Sequence, residues 1–324
     1  MYTFFLCLAV VLCPLTRAGA MQVTFMARLA NFEGVVPSLW AKIALDRERK
    51  EIIVLNPRKR DIRIFNEAGM QIYTIGDNVE VSGATDIDVD ENGNIYLVFP
   101  RARNHKIIKL DYKGKFIAAL EMENLPEDFS SFSPRFIQYL DGELFLADAA
   151  SLNVVVTDAR GNFQKGYHLK DAIMQLEDDF SDPNKEKAAE TQDPFEDLGL
   201  SGFCVDRHKN IYFTIASRFS AFKLPADGGE LRVFGTSGSG PGKFGVVAGI
   251  ATDSQGNIYV TDRLRSVVII FDGNFSFVTE FGFRGDYPGS LMVPDDIIVD
   301  DRRGRIYVAQ AANRGVSIFK IITD

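Results

Sequence analysis

Residues 247–262, VAGIATDSQGNIYVTD, hold an apolar run, an Asp, a Gly-Asn turn, a second apolar run and a polar close. The same pattern recurs six times along the chain. The second runs begin at Ile52, Ile95, Leu144, Ile211, Ile258 and Ile306, so the intervals are 43, 49, 67, 47 and 48 residues and one of them carries an insertion. A turn precedes each start, as in DENGN at 90–94 and DRHKN at 206–210. The runs that follow, IYLVF, IYFTI, IYVTD and IYVAQ, are short and apolar or alternating, which is the pattern of buried strands. A polar loop comes next, then a third run (DIRIF, KIIKL, NVVVT, FSAFKL, VVIIF, VSIFK). After a further turn comes a fourth, clearest in QIYTIG, KFIAAL and FVTEFG.

Four short strands in each unit of roughly 40–50 residues predict propeller blades rather than strand-helix-strand units. The expected fold is therefore all-β, a six-bladed propeller of four-stranded antiparallel blades. The sixth unit stops after its third strand, VSIF at 316–319, while VTFMARL at 23–29 resembles the fourth run FVTEFG at 277–282. The first strand is thus expected to complete the last blade and remove an open sheet edge.

A chain of 324 residues, 46% hydrophobic and 25% charged, has ordinary globular composition, and the repeat makes residues 21–324 one domain. The net charge of -8 gives no general attraction to nucleic acid, which is not expected as a partner. Residues 1–20 read as a signal peptide: an apolar run from Phe4 to Leu15, then AGA at 18–20, although no Lys or Arg precedes Phe4. The run is shorter than the about 20 apolar residues that span a bilayer. Cleavage after Ala20 removes Cys7 and Cys13 and leaves Cys204 alone, so the mature chain is expected to lack an internal disulfide. The expectation is an exported monomer, periplasmic or extracellular, without a transmembrane segment.

Several stretches resemble NHL repeats: NHKI at 104–107, GIATD at 249–253, GNIYVTD at 256–262 and FGTSGSGPGKFG at 234–245. The resemblance covers residues 23–321, is strong in the second, fifth and sixth units and degenerate in the third and fourth. It implies a six-bladed propeller. Some NHL proteins bind RNA on the loop face, an activity that the export signal and acidic balance argue against here.

In such a fold the loops between second and third strands share one face with the connections between blades, and the tight turns share the other. The tight-turn face carries acidic Asx turns, which read as turn chemistry because Asp and Asn hydrogen-bond their own backbone. The opposite face collects Arg58, Lys59 and Arg60; Arg101, Arg103, His105 and Lys106; Arg218; Arg263 and Arg265; and Arg314. Either this is a solvated rim, or it is a ring of cations that steers an acidic protein partner or an anionic ligand. The long interval supplies an acidic insertion at 170–199, with ten acidic and three basic residues. Ile173, Leu176 and Phe180 have helical spacing, and an acidic flap lying over the channel mouth against Arg218, Arg263 or Arg101 is one expectation for it.

The first strands alternate. Lys42, Asp86, Asp88, Gly202, Cys204, Gly249 and Asp296 share the parity expected to face the channel. Asp86, Asp88 and Asp296 with Lys42 form either an internal ion pair in a watered channel or, as the alternative, a site for calcium or another divalent cation. The stretch from Asp88 also matches the start of an EF-hand loop, but the closing Glu is replaced by Phe99. No other cofactor is indicated. Two enzyme families share six-bladed folds, peptide-amidating lyases and gluconolactonase-like hydrolases. The former needs several His ligands, whereas His105, His168 and His208 fall on separate parts of the propeller. The functional expectation is a non-catalytic binding propeller, with a metal-dependent hydrolase or lyase using the channel carboxylates as the alternative.

Overall fold

The computed structural model describes residues 21–76, 81–101, 106–180, 198–311 and 313–322. The expected signal peptide, Arg103, His105 and residues 181–197 of the acidic insertion lie outside them. Six antiparallel sheets of four strands form a propeller whose innermost strands are Lys42–Asp46, Asp86–Val89, Phe136–Leu140, Leu200–Val205, Val247–Thr252 and Pro294–Asp300. Blades 1 to 6 are numbered in that order. The last blade is closed as expected: Gln22–Arg28 pairs antiparallel with Val316–Ile322. Phe25 meets Phe319 edge-on, with centroids 5.7 Å apart.

The second strands are buried along nearly their whole length because each blade is covered on both faces. Every core cluster joins two neighbours: Ile53, Leu55 and Ile64 of blade 1 pack with Ile87, Ile95 and Leu97 of blade 2, and the other five seams repeat the arrangement. The Asp-Asn turns explain the recurring DxxxN. In blades 2, 4 and 5, Asp90, Asp206 and Asp253 each accept the backbone N–H groups two and four residues on. Each also takes the side-chain amide of Asn94, Asn210 or Asn257 at 2.7–2.8 Å. The following Tyr hydroxyl donates to the same carboxylate, at 3.3 Å from Tyr96, 3.2 Å from Tyr212 and 2.9 Å from Tyr259. The Asp90 carboxylate thereby spends its lone pairs on the turn rather than on an EF-hand ligand set.

The seams near the axis are of two kinds. Between blades 4 and 5 and between 5 and 6, glycines let the backbones touch: a Cβ on Gly202 would lie 2.1 Å from the Ala248 carbonyl oxygen, and one on Gly249 would lie 2.6 Å from that of Asp295. Between blades 6 and 1, 2 and 3, and 3 and 4, side chains fill the gap. Asp296 Oδ2 accepts Ile43 N–H at 2.9 Å, Asp86 Oδ2 accepts Ile137 N–H at 2.9 Å and Asp88 Oδ2 accepts Tyr139 N–H at 2.7 Å. Gln138 answers both Val205 N–H, at 2.7 Å, and its C=O, at 2.8 Å. An innermost strand has one unpaired edge, and these groups satisfy it. Gly202→Ala is expected to cost about 2–3 kcal/mol by forcing the seam apart; an unchanged urea midpoint would show that the seam can relax.

The insertion starts as a helix, Leu169–Phe180, which includes the helically spaced Ile173, Leu176 and Phe180. Leu169 and Ile173 are buried in the core shared by blades 3 and 4, with Ala172 and Leu176 against it. Its apolar face thus seals a seam, and the expected cover over the channel mouth falls to residues outside the described ones. No helix among the described residues is long and apolar enough to cross a membrane.

Candidate functional site

Second-to-third-strand loops place the expected cations on one face, but they are not equivalent. Asp295, itself 4% exposed, takes the Arg263 guanidinium, with Nε at 2.8 Å, and the same guanidinium lies 5.2 Å from the centre of the Trp40 ring. Arg265 pairs with Glu280 at 2.7 Å and donates to the Lys243 carbonyl at 2.7 Å. Arg314 pairs with Asp286, and Lys106 donates to the Phe132 carbonyl. Arg218 stands at the end of a single helical turn in the blade 4 loop, Ala216–Arg218, and also has an interaction partner. In contrast, Arg58, Lys59, Arg60 and Arg101, on adjacent blades 1 and 2, are exposed and have no ion pair among the described residues. The sequence marks each cation, but not Asp295, Glu280 and Asp286, which come from other loops and strands. Pairing divides the face into a neutralised half and a positive half.

The channel forms a second site. A cavity of about 520 Å³ runs along the axis and is lined by the innermost strands and the turns that follow them. Among the described residues its mouth is lined by first-to-second-strand turns and by none of the cationic loops, so it opens on the tight-turn face. Lys42 lies behind the wall at its inner end, against two lining residues, with Nζ 3.3 Å from Asp296 Oδ1 and 5.5 Å from the centre of the Phe136 ring. Burial disfavours the ammonium, but the carboxylates of Asp296, Asp295 and Asp86 prevail and hold Lys42 above its ordinary value. Burial likewise pushes Asp88 up to about 6, against the N–H groups of Tyr139 and Val89 that favour its ionised form. It pushes Asp86 up to about 7, opposed by Lys42 and reinforced by Asp296, and it raises Asp296 as well.

The structure gathers Asp86, Asp88 and Asp296 at one cavity, with Lys42 against Asp296, while Phe203, of the opposite strand parity, lines the cavity as well. Each carboxylate also holds the neighbouring blade's backbone. Among the described residues no three His, Cys, Asp or Glu side chains converge as a metal-binding set. Cys204 lines the cavity wall but is 8% exposed, and burial raises its thiol well above the ordinary value. Turn residues at the mouth, Arg47, Glu48, Glu91, Asp141, Arg207 and Arg302, read in the sequence as turn formers. Their convergence was signalled only by the repeat itself, which brings every first-to-second-strand turn to the axis.

The sequence matches no family model and no curated protein sequence. Solved structures share the fold. A protein of unknown function from Bacteroides thetaiotaomicron aligns with a TM-score of 0.64 at 13% identity, covering 93% of this chain and 76% of that one. An auxiliary nutrient binding protein from Bacteroides ovatus gives 0.61 at 12% identity, with 94% and 77% covered. A gluconolactonase from Xanthomonas campestris gives 0.57 at 13% identity, with 96% and 100% covered. At these identities the likeness establishes the six-bladed propeller and leaves the resemblance to NHL repeats resting on the motifs.

Proposed function

We propose that this chain is an exported, non-catalytic binding propeller that recognises an acidic protein partner with the loop face of blades 1 and 2. The observation that carries the reading is the division of the cationic face: Arg263, Arg265 and Arg314 are spent on internal pairs, while Arg58, Lys59, Arg60 and Arg101 stay exposed without one among the described residues. Adjacent unpaired cations on rigid blades raise the local potential and steer acidic partners. Loops on such a scaffold are free to vary, which suits recognition. Among the proteins of the same fold, one is a nutrient binding protein and another was solved as a nidogen/laminin complex, so binding is within the repertoire of the scaffold. The alternative, a metal-dependent hydrolase, asks Asp86, Asp88 and Asp296 to act as ligands while each already accepts a backbone N–H.

Poly-glutamate labelled with a fluorophore is a direct probe. At 50 mM salt it is expected to bind the unaltered protein and to lose affinity at 300 mM. The triple reversal Arg58→Glu, Lys59→Glu and Arg60→Glu should weaken it at least ~10-fold, at about 0.5–1 kcal/mol for each exposed charge. Arg265→Ala, which removes an already paired charge, should leave it within ~2-fold. Equal effects of the two changes would move the binding face elsewhere.

A further inference from the structure

The tight-turn face carries a site of its own. Among the described residues, eleven with carboxylate side chains and three with guanidinium groups line the cavity and its mouth. Several of those carboxylates also accept turn N–H groups, as Asp46, Asp90, Asp206 and Asp253 do. A narrow cleft with apolar walls concentrates the resulting negative potential. Its volume of about 520 Å³ is that of a small-molecule site.

The chain also shows which chemistry the cavity accepts. Lys42 sets a primary alkylammonium at the inner end, between the Asp296 carboxylate and the face of Phe136. Two residues along the strand from Asp86, toward the mouth, Asp88 offers a second carboxylate to the same cavity. Its Oδ2 takes Tyr139 N–H, and no cation of the chain is in hydrogen-bond contact with it among the described residues. Arg47, at the rim, acts on Asp88 only through space. Phe203 also lines the cavity, and its ring centre lies 6.4 Å from that of Phe136, so two aromatic rings adjoin in the wall.

We propose that the axial cavity binds a small organic cation, an alkyl mono- or diamine, whose ammonium pairs with Asp88 and whose stem lies along the Phe136–Phe203 wall. An ammonium needs one carboxylate and an apolar wall, and the arrangement supplies both. A hard divalent ion needs several converging oxygens, which the described residues do not bring together.

The groups that share the cavity with Asp88 are Asp86, Asp296, Lys42, Arg47, Tyr139 and Cys204. Tyr139, raised by burial and by Glu91, and Cys204, raised by burial, stay neutral below pH 8. Lys42, held above its ordinary value by the surrounding carboxylates, stays charged. Asp88, near 6, and Asp86, near 7, titrate between pH 5 and pH 8, and burial raises the Asp296 carboxyl in the same direction. A cation prefers their ionised forms, so binding should strengthen as pH rises through this window.

The test is titration calorimetry of the unaltered protein with butane-1,4-diamine. A saturable heat is expected at pH 8, at least 10-fold weaker at pH 5. Asp88→Asn, whose side-chain carbonyl can still accept Tyr139 N–H, should weaken binding at pH 8 at least 10-fold while its unfolding transition stays cooperative. Butane-1,4-diol should give no saturable heat, and calcium chloride should not compete. No saturation at pH 8, equal affinity at pH 5 and pH 8, equal affinity in the Asp88→Asn protein, or competition by calcium at millimolar levels would each overturn the proposal. The pH comparison stands even if the variant does not fold. Because the cavity and the Arg58–Arg60 loop lie on opposite faces, the outcome is independent of the binding reading given above.

Discussion

Removal of residues 21–30 is expected to lower the melting temperature by about 10 °C or more and to make the protein prone to association. Gln22–Arg28 is the outer strand of blade 6, paired along its length with Val316–Ile322. Leu29 is 1% exposed, in the core between blades 6 and 1, and Val23 and Phe25 pack against the core between blades 5 and 6. Losing these three side chains forfeits about 5 kcal/mol of apolar burial, at roughly 1–3 kcal/mol each. That is a large share of the stability of a typical domain, about 5–15 kcal/mol. At roughly 2–4 °C for each kcal/mol the shift reaches about 10 °C or more. The deletion also exposes an unpaired edge carrying Phe319 and Ile321, which favours strand addition between copies. Differential scanning calorimetry and light scattering measure the two effects. A melting temperature within about 2 °C of the intact chain would mean that the strand is an addition rather than a clasp.

The second large effect is expected from Lys42→Met. The ammonium is the cation held against Asp296 and close to Asp86 at the inner end of the cavity. Taking it away leaves carboxylates in a poorly solvated place without a counter-charge, a change that costs about 3–5 kcal/mol. The cost depends on pH. Asp86 and Asp88 have folded-state values near 7 and 6, above those of an unfolded chain, so the folded state binds the extra protons. Their contribution is therefore greatest below about pH 4 and is lost as pH rises to about 7. Without Lys42 the carboxylates are harder to ionise still, so the loss should be several-fold smaller at pH 5 than at pH 8. Adding Asp296→Asn, which keeps an acceptor for Ile43 N–H, should restore part of the stability at pH 8. Urea unfolding of the single and double variants at both pH values reads this coupling. An equal loss at both pH values would assign the role of Lys42 to packing of its stem.

Much of this architecture is legible without coordinates. The blade count, the closure by residues near 23–29, the shared parity of Lys42, Asp86, Asp88 and Asp296 and the turn role of the DxxxN segments all follow from periodicity and local hydrogen bonding. These are properties of residues close in sequence or repeated at fixed intervals. The cationic face is half legible. Arg263, Arg265 and Arg314 look equivalent to Arg58 and Arg101 in a string of letters, and only the fold brings Asp295, Glu280 and Asp286 to the first group and leaves the second without ion pairs among the described residues.

The axial cavity lies at the far end of that scale. Glu48, Glu91 and Asp141 are ordinary turn residues in the sequence, and they become the mouth of a site only because six unequal seams set the width of the channel. Gly202 and Gly249 draw blades 4, 5 and 6 together, while Asp86, Asp88, Gln138 and Asp296 bridge wider gaps elsewhere around the ring. Sequence by itself determined the repeat and the turns, because those depend on local backbone geometry and a fixed period. Tertiary structure alone decided which charges are neutralised and where space remains, because both depend on distances between residues that lie far apart in the chain.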